Sequence, residues 1–322
     1  MTAVSASVVF LTYNQEAFVQ EAFQSLLDQD CEDLEIVISD DASTDGTWDI
    51  LKKMVKTYEG GKKLLLNRNQ VNLGVVGNYL KAFELSSGEV IFTAAGDDVS
   101  LRNRCSACMA HWVALEKKPD LIAADGYDMT LEGQILGIKN TDDLQGWSLL
   151  HWARARPYIY GASHMMTRRL IGISPLDPQL AYEDQCFVFR AMLMGGAARL
   201  SMPLVKHRRG GISQQRKNYS YEVKRQKLLS SAVHGMHEIG QMQRDAKLIG
   251  CDADILDVLD LEIKLYEFER EMLLSTTFYS QIHLFINAPR LSLAKRLRYL
   301  FFVACPSVNG LLMDIKKFFK KK

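Results

Sequence analysis

The sequence lacks any apolar run close to the roughly 20 residues that a membrane-spanning helix needs, and its longest candidate, residues 299–305, is far shorter. Its first residues lack the basic start and long apolar stretch of a secretory signal peptide. The six cysteines are scattered, and no second Cys-x-x-Cys accompanies Cys105 and Cys108 to complete a zinc site, so we interpret that pair, extended by His111, as buried helix residues. These absences predict a cytosolic globular protein without an integral membrane span.

The net charge is also small, +1 overall, which disfavours nucleic acid as the main partner. This mean hides a basic tail, because residues 290–322 contain nine Lys or Arg against the single acid Asp314. Residues 291–305 and 311–322 mix Leu, Phe and Tyr with these cations, as interfacial membrane helices do. Phe318 and Phe319 stand beside five lysines, so their rings would enter the headgroup region while the cations meet anionic lipid. We therefore predict peripheral attachment to the cytosolic face of the plasma membrane through residues 291–322. A nucleic-acid patch and a plain solubilising tail are the alternatives.

Length and hydrophobic content, 322 residues and 48%, suit one large domain with an extension or two modest domains. Strand-like and helix-like periods alternate over residues 1–100, as in βαβ units that build a parallel sheet. The next hundred residues are less regular and indicate a mixed sheet. The predicted strands are 5–12, 34–39, 63–66, 89–96, 121–125, 134–138, 161–167 and 199–205. From residue 219 to 276 the chain is predicted to be helical, as a packing arm or homodimer contact, which places a domain boundary near Asn218.

Paired carboxylates end two of the predicted strands. Asp97 and Asp98 follow the apolar strand 89–96, and Asp40 and Asp41 end strand 34–39. Because open α/β sheets bind ligands at the carboxyl ends of their strands, both pairs should lie at one binding edge. Hard oxygen ligands there suit a divalent ion that carries a diphosphate. The sequence therefore predicts a nucleotide site at this edge.

Five motifs follow one another in a recognisable order. They are Thr12-Tyr13-Asn14, the run DDASTDGT at 40–47, Asn72-x-Gly74, Asp97-Asp98 and Glu183-Asp184. In this order the chain resembles glycosyltransferase family 2, the inverting enzymes with a GT-A fold, over about residues 4–215. The resemblance implies a Rossmann-like α/β fold with a mostly parallel mixed sheet flanked by helices. It makes 1–218 the catalytic domain, with 1–100 as nucleotide-sugar half and 101–218 as acceptor half, followed by a helical extension over 219–322.

The resemblance also implies a donor site. Its residues are Thr12, Tyr13, Asn14, Glu16, Asp41, Asn72, Gly74, Asn78 and Asp97. The Tyr13 ring could stack on a nucleobase and Asp41 could accept a base N–H. Ordinary strand termination is the alternative for Thr12 and Tyr13, helix capping or turn formation for Asp41, and a helix-entry role for Gly74.

Asp98 resembles the family's metal ligand for Mg²⁺ or Mn²⁺, whose other ligands are mainly diphosphate oxygens and water. A solvated Asp-Asp turn is the alternative. The basic run from Lys206 to Arg209 and the following Gly210-Gly211 are predicted to form a mobile lid over the phosphates. Within it, His207 contacts metal or phosphate, or else the run is a solvated loop.

An inverting transfer needs a base opposite the leaving group, and by resemblance Asp184 is that base with Glu183 in support. Helix capping by either residue is the alternative. The resemblance thus predicts an inverting, metal-dependent hexosyltransferase that moves one sugar from a nucleotide-sugar, expected to be a UDP-sugar, to a hydroxyl of a glycan or polyprenyl-linked acceptor in surface polysaccharide biosynthesis.

Two other functions stay open. A catalytically inactive nucleotide-sugar-binding protein or membrane scaffold could use the same fold. A sugar nucleotidyltransferase would need a Gly-rich loop with Arg or Lys after the first strand, where residues 12–16 are acidic and free of glycine.

Overall fold

The computed structural model describes residues 5–31, 33–209, 220–288 and 291–306. Its contacts divide the chain into two compact units. The first unit comprises Met1–Gln214 with Leu248–Gly250, and the second comprises Gln215–Lys247 with Cys251–Lys322.

The first unit is built on a mixed, mostly parallel sheet. Its strands are β1 Ala6–Thr12, β2 Leu34–Asp40, β3 Lys63–Arg68, β4 Val90–Ala95, β5 Val99–Ser100, β6 Leu121–Met129, β7 Ile135–Lys139, β8 His164–Thr167 and β9 Ala197–Arg208. Strands β3, β2, β1 and β4 are parallel neighbours in that order. Strand β8 joins β4 to β6 by antiparallel pairing, and β9 runs parallel to β6. The predicted mixed α/β sheet is confirmed.

Helices cover the sheet of this unit. They are α1 Val19–Leu27, α2 Thr47–Lys56, α3 Gly74–Leu85, α4 Arg104–Ala114, α5 Leu149–Arg154, α6 Arg168–Ile171 and α7 Asp184–Leu193. Apolar residues of β1, β2 and β4 pack against α1 and α4, with the Phe10 and Phe23 rings stacked at 5.7 Å. Cys105 and Cys108 are buried in this core on α4, as predicted. Burying such residues supplies the main driving force for holding the strand ends in place.

Two local predictions are wrong. Residues 206–208 are not a lid loop, because β9 continues to Arg208 and pairs with β6 as far as Met129. Residues 161–163 form a 3₁₀ turn, and the strand there begins only at His164. Arg209 follows the strand, and the last two residues of the proposed lid, Gly210 and Gly211, lie outside the described residues.

The second unit is helical, as predicted for the extension. Its helices are α8 Tyr221–Ile249, α9 Ala253–Leu274, α10 Phe278–Ile286 and α11 Leu293–Ala304. Gly250, with φ of 91°, ends the first of them, since glycine adopts this left-handed conformation readily. Phe268, Met272 and Phe302 belong to a buried cluster inside the unit. Among the described residues no helix is long and apolar enough to cross a membrane, and Phe318, Phe319 and their lysines lie outside the described residues.

Candidate active site

The strands β1, β2 and β4 end in register at one edge of the sheet. Thr12 pairs with Asp40, and Leu11 pairs with Ala95, one residue before Gly96 and the acidic pair Asp97-Asp98. The structure therefore brings the two acidic motifs to the same carboxyl edge. Edges of this kind form the ligand crevice in open α/β sheets.

The loops after β1 and β2 are tied to each other. Asn14 accepts a hydrogen bond from the Thr44 amide at 2.8 Å, and Glu16 Oε2 accepts one from the Gly46 amide at 2.7 Å. Through these contacts Asn14 and Glu16 hold the two loops together. Their predicted contact with the nucleotide-sugar stays a prediction. Tyr13, which precedes Asn14, is 43% exposed, so its ring is available for stacking.

Asp41 caps helix α3 from the end of β2. Its Oδ1 accepts hydrogen bonds from the Leu73 amide and from Asn69 Nδ2, both at 2.8 Å. Its Oδ2 accepts from the Gly74 amide at 3.0 Å, and Asn72 Oδ1 accepts from the same amide at 2.9 Å. Gly74 has φ of 75°, which explains glycine at the first residue of the helix. Asp41 therefore caps the start of α3, which is the alternative that the sequence left open. Recognition of a nucleobase by Asp41 stays a prediction.

Asn78 lies buried beneath this loop. Its Oδ1 accepts from Ser39 Oγ at 2.6 Å and from Asn69 Nδ2 at 2.9 Å, while its Nδ2 donates to the Ser39 carbonyl at 3.0 Å. Every polar atom of the amide therefore has a partner inside the protein. Asn78 joins α3 to β2 and fixes the floor of the site.

Arg208 holds the acidic pair Asp97-Asp98. The Arg208 amide donates to Asp98 Oδ1 at 2.8 Å, and its Nε donates to the Asp97 carbonyl at 2.9 Å. Its buried guanidinium also donates to Glu21 Oε2 at 2.7 Å and lies over the Phe18 ring. The sequence places Arg208 in a mobile lid over the phosphates, whereas in the structure it ends the last strand and positions the acidic pair.

The negative charge of the Asp97 and Asp98 carboxylates is only partly neutralised by neighbouring cations and hydrogen-bond donors. Burial, followed by the Asp98 charge, raises the pKa of Asp97, and burial raises the pKa of Asp98. A divalent cation bound by hard oxygen ligands would relieve this cost, so the donor set fits Mg²⁺ or Mn²⁺. Within the described residues no group of three or more His, Cys, Asp or Glu could hold an ion alone. Such an ion would need further ligands from substrate and water.

Lys139 and His207 form a contact beside the acidic pair. Lys139 Nζ lies 3.0 Å from His207 Nδ1 and 4.3 Å from the centroid of the Tyr160 ring, which meets the His207 ring edge-on. Burial, followed by the Lys139 charge, lowers the pKa of His207 to about 4. His207 is therefore neutral at pH 7 with Nδ1 accepting from Lys139. Its predicted metal contact stays a prediction and would have to use Nε2.

The acidic pair Glu183-Asp184 begins helix α7. Glu183 is buried, its Oε2 has no hydrogen-bond partner among the described residues, and burial, followed by the Asp184 charge, raises its pKa. Asp184 lies against Gly161, where a Cβ would be 2.5 Å from Asp184 Oδ1. Because Tyr160 precedes Gly161 and contacts His207, the segment 160–161 links Asp184 to the region of the Asp97-Asp98 pair. The two carboxyls of this motif thus occupy different environments.

Two comparisons of the sequence with known proteins found matches to part of the chain. A family model described as "Glycosyl transferase family 2" matches residues 7–132, which include β1 and the Asp97-Asp98 pair. The GalNAc(5)-diNAcBac-PP-undecaprenol beta-1,3-glucosyltransferase of Campylobacter jejuni is 33% identical over 103 residues, 32% of this chain and 33% of that protein. The matched region spans about a third of the length of such curated relatives.

Solved structures share the fold at low sequence identity. The crystal structure of S. aureus TarS in complex with UDP-GlcNAc has a TM-score of 0.55 at 18% identity and covers 93% of this chain and 90% of that chain. The mannosyltransferase PcManGT from Pyrobaculum calidifontis, in complex with GDP-Man and Mn²⁺, has a TM-score of 0.52 at 14% identity and covers 97% and 88%. These two likenesses concern the fold alone.

Proposed function

We propose that this chain, which belongs to glycosyl transferase family 2 and has a GT-A fold, moves one sugar from a nucleotide-sugar to a hydroxyl acceptor with inversion at the anomeric carbon. The observation that carries the proposal is the Asp97-Asp98 pair at the shared edge of β1, β2 and β4, in which Asp97 is half-buried, Asp98 is buried and both carboxyls have a raised pKa. A UDP-sugar is the proposed donor. It is supported by the fold shared with a structure that holds UDP-GlcNAc.

The donor would lie across the ends of these strands. The exposed Tyr13 ring would stack on the base, with Thr12, Asn14, Glu16 and Asp41 shaping the loops around it. Asn72, Gly74 and Asn78 would hold the start of α3 beside the nucleotide.

Asp98, with Asp97 at its side, would bind Mg²⁺ or Mn²⁺, and the chemistry that this ion supplies when bound is neutralisation of the charge that develops on the departing diphosphate. Lys139 adds a fixed positive charge in the same region, since it acts on Asp98 electrostatically and contacts His207. Both effects favour departure of the nucleoside diphosphate.

Asp184 is the proposed base for the acceptor hydroxyl, and Glu183 supports it. Because burial raises the pKa of Glu183, its carboxyl favours the protonated form and adds little negative charge next to Asp184. Gly161 leaves room for the Asp184 carboxylate at the start of α7. A base held on a helix start and against a glycine would be well oriented for an in-line attack.

The acceptor is proposed to be a hydroxyl of a glycan or lipid-linked glycan in surface polysaccharide biosynthesis. The Campylobacter relative, whose printed name specifies an undecaprenol-linked glycan, supports this class. Work on such an acceptor would place the protein at the cytosolic face of a membrane, in keeping with its basic C-terminal residues.

Transfer itself tests the proposal. Release of UDP from UDP-sugars would be followed with lipid-linked glycan acceptors, and the anomer of the product would be read by NMR. We expect inversion, and an Asp184→Asn variant that binds donor as tightly as the parent but loses at least about a hundredfold in kcat. Retention of configuration, or full turnover by Asp184→Asn, would contradict the mechanism.

A further inference from the structure

Helix α11 carries apolar residues on two opposite faces. Tyr299, Phe302 and Val303 pack into the core of the second unit. Leu293, Leu297 and Phe301 follow one another at four-residue spacing, so they share a stripe on the other side of the helix. Their exposed fractions are 55%, 49% and 48%. A helix on the surface of a soluble protein usually presents polar residues there, so this stripe indicates a partner.

Helix α10 extends the exposed apolar area next to α11. Phe278, Tyr279 and Ile286 are 65%, 82% and 62% exposed. Arg296 of α11 donates a hydrogen bond to the Phe285 carbonyl at 2.8 Å, and its guanidinium lies 5.1 Å from the centroid of the Phe285 ring. This contact holds the two helices side by side. We call the six exposed residues of α10 and α11 the apolar surface.

The charged residues that α10 and α11 themselves carry are all basic, while Glu269 of α9 lies half-buried beside Lys295, Arg298 and Tyr299. The sequence has no Asp or Glu between Glu271 and Asp314, whereas α11 carries Lys295, Arg296 and Arg298. Lys295 and Arg298 are exposed. Exposed apolar side chains with adjacent exposed cations are the combination that binds an anionic membrane interface, because the rings and alkyl groups enter the headgroup boundary while the cations meet lipid phosphates.

We propose that the apolar surface docks on an anionic lipid bilayer. A second copy of the chain fits the same surface less well. In a two-fold symmetric contact, the exposed cations of both copies would face each other, and α10 and α11, which carry the apolar surface, contribute no carboxylate to pair with the cations of the second copy. This docking rests on the proposed function, because a lipid-linked acceptor is presented at the surface of a bilayer.

Vesicle binding of the full chain tests the inference. The protein would be sedimented with phosphatidylcholine vesicles that contain or lack phosphatidylglycerol, without nucleotide-sugar or metal. We expect binding that needs the anionic lipid, and a fall of at least about tenfold in the partition coefficient for the double variant Leu297→Ser/Phe301→Ser. The matched control Val223→Ser/Leu261→Ser changes two similarly exposed apolar residues of α8 and α9 and should bind within about twofold of the parent. The residues beyond 306 are present in every variant.

Charge variants and a test of self-association distinguish a lipid bilayer from a second copy of the chain as the partner of the apolar surface. A Lys295→Gln/Arg298→Gln variant should bind more weakly and with a smaller dependence on salt. Unchanged vesicle binding by Leu297→Ser/Phe301→Ser with intact circular dichroism would overturn the inference. The inference would also be overturned if light scattering showed that the parent is a dimer, that Leu297→Ser/Phe301→Ser is a monomer, and that neither protein binds vesicles. Because no donor is present, failure here leaves the proposed transfer reaction untouched.

Discussion

The backbone amide of Arg208 donates a hydrogen bond to Asp98 Oδ1 over 2.8 Å, so the last strand of the sheet fixes one carboxyl of the proposed metal-binding pair. The same residue reaches the Asp97 carbonyl and Glu21 through its guanidinium. The site is therefore assembled from segments more than a hundred residues apart in sequence.

Replacing this guanidinium should destabilise the first unit. In Arg208→Met the Asp97 and Leu131 carbonyls lose their donor and Glu21 loses its partner, so we expect the free energy of unfolding to fall by about 2 kcal/mol. Urea denaturation measures this change. Arg209→Met is the control, because Arg209 is half exposed and pairs with Asp128 at the surface, and it should lower the free energy of unfolding less than Arg208→Met does. Equal costs would contradict the structural role given to Arg208.

Asp97 should make stability depend on pH. Because its pKa is raised in the folded protein to about 6, the folded state holds the proton more tightly than the unfolded state, so this contribution is present at pH 4 and lost as pH rises through 6. Asp97→Asn removes the carboxyl. We therefore expect the variant to gain about 1 to 3 kcal/mol relative to the parent between pH 4 and pH 7.5. Denaturant midpoints across this range measure the difference, and a constant offset would show that the Asp97 carboxyl is not underneutralised.

Lys139 should contribute to diphosphate binding and control His207. In Lys139→Met we expect the affinity for UDP, measured by calorimetry in EDTA, to fall about tenfold while the affinity for uridine is unchanged. The pKa of His207, about 4 with Lys139 present, should rise towards its usual range and can be followed by NMR. Lys118→Met, which changes an exposed lysine paired with Glu116, is the control and should alter neither quantity. Equal losses for UDP and uridine would mean that Lys139 only supports the fold.

A side chain at Gly161 should displace the proposed base. The Cβ of Gly161→Ala would lie 2.5 Å from Asp184 Oδ1, so we expect kcat to fall about a hundredfold with donor binding intact. Gly61→Ala, where an added Cβ meets no atom within 4 Å, is the matched control. If both variants turn over alike, the contact between Gly161 and Asp184 has no catalytic importance.

The central strands and the binding edge of the sheet can be predicted from the sequence because their segments have strong local periodicity. The apolar strands β1, β2 and β4 alternate with amphipathic helices, and the pairs Asp40-Asp41 and Asp97-Asp98 stand at the ends of β2 and β4, so both the sheet edge and the meeting of Asp40 with Thr12 follow from pattern and topology.

The features that the sequence does not predict depend on contacts between segments that are distant in sequence. The two-residue strand β5 exists because it pairs with β9, and a stretch this short has no period of its own. Residues 206–208 look like a loop by composition, yet pairing with β6 and burial of Arg208 make them a strand. Lys139 is an ordinary surface lysine in sequence, and only the fold brings it to His207.

The most direct test of the account is a thermal-shift panel of UDP-, GDP- and dTDP-sugars with and without Mn²⁺, on the parent and on Asp98→Asn. Asparagine keeps an oxygen for the Arg208 amide and removes the charge that the metal needs. We expect UDP-sugars to raise the melting temperature in the presence of Mn²⁺, and Asp98→Asn to abolish this rise. Stabilisation by no nucleotide-sugar at millimolar concentration, or an equal rise in Asp98→Asn, would contradict it.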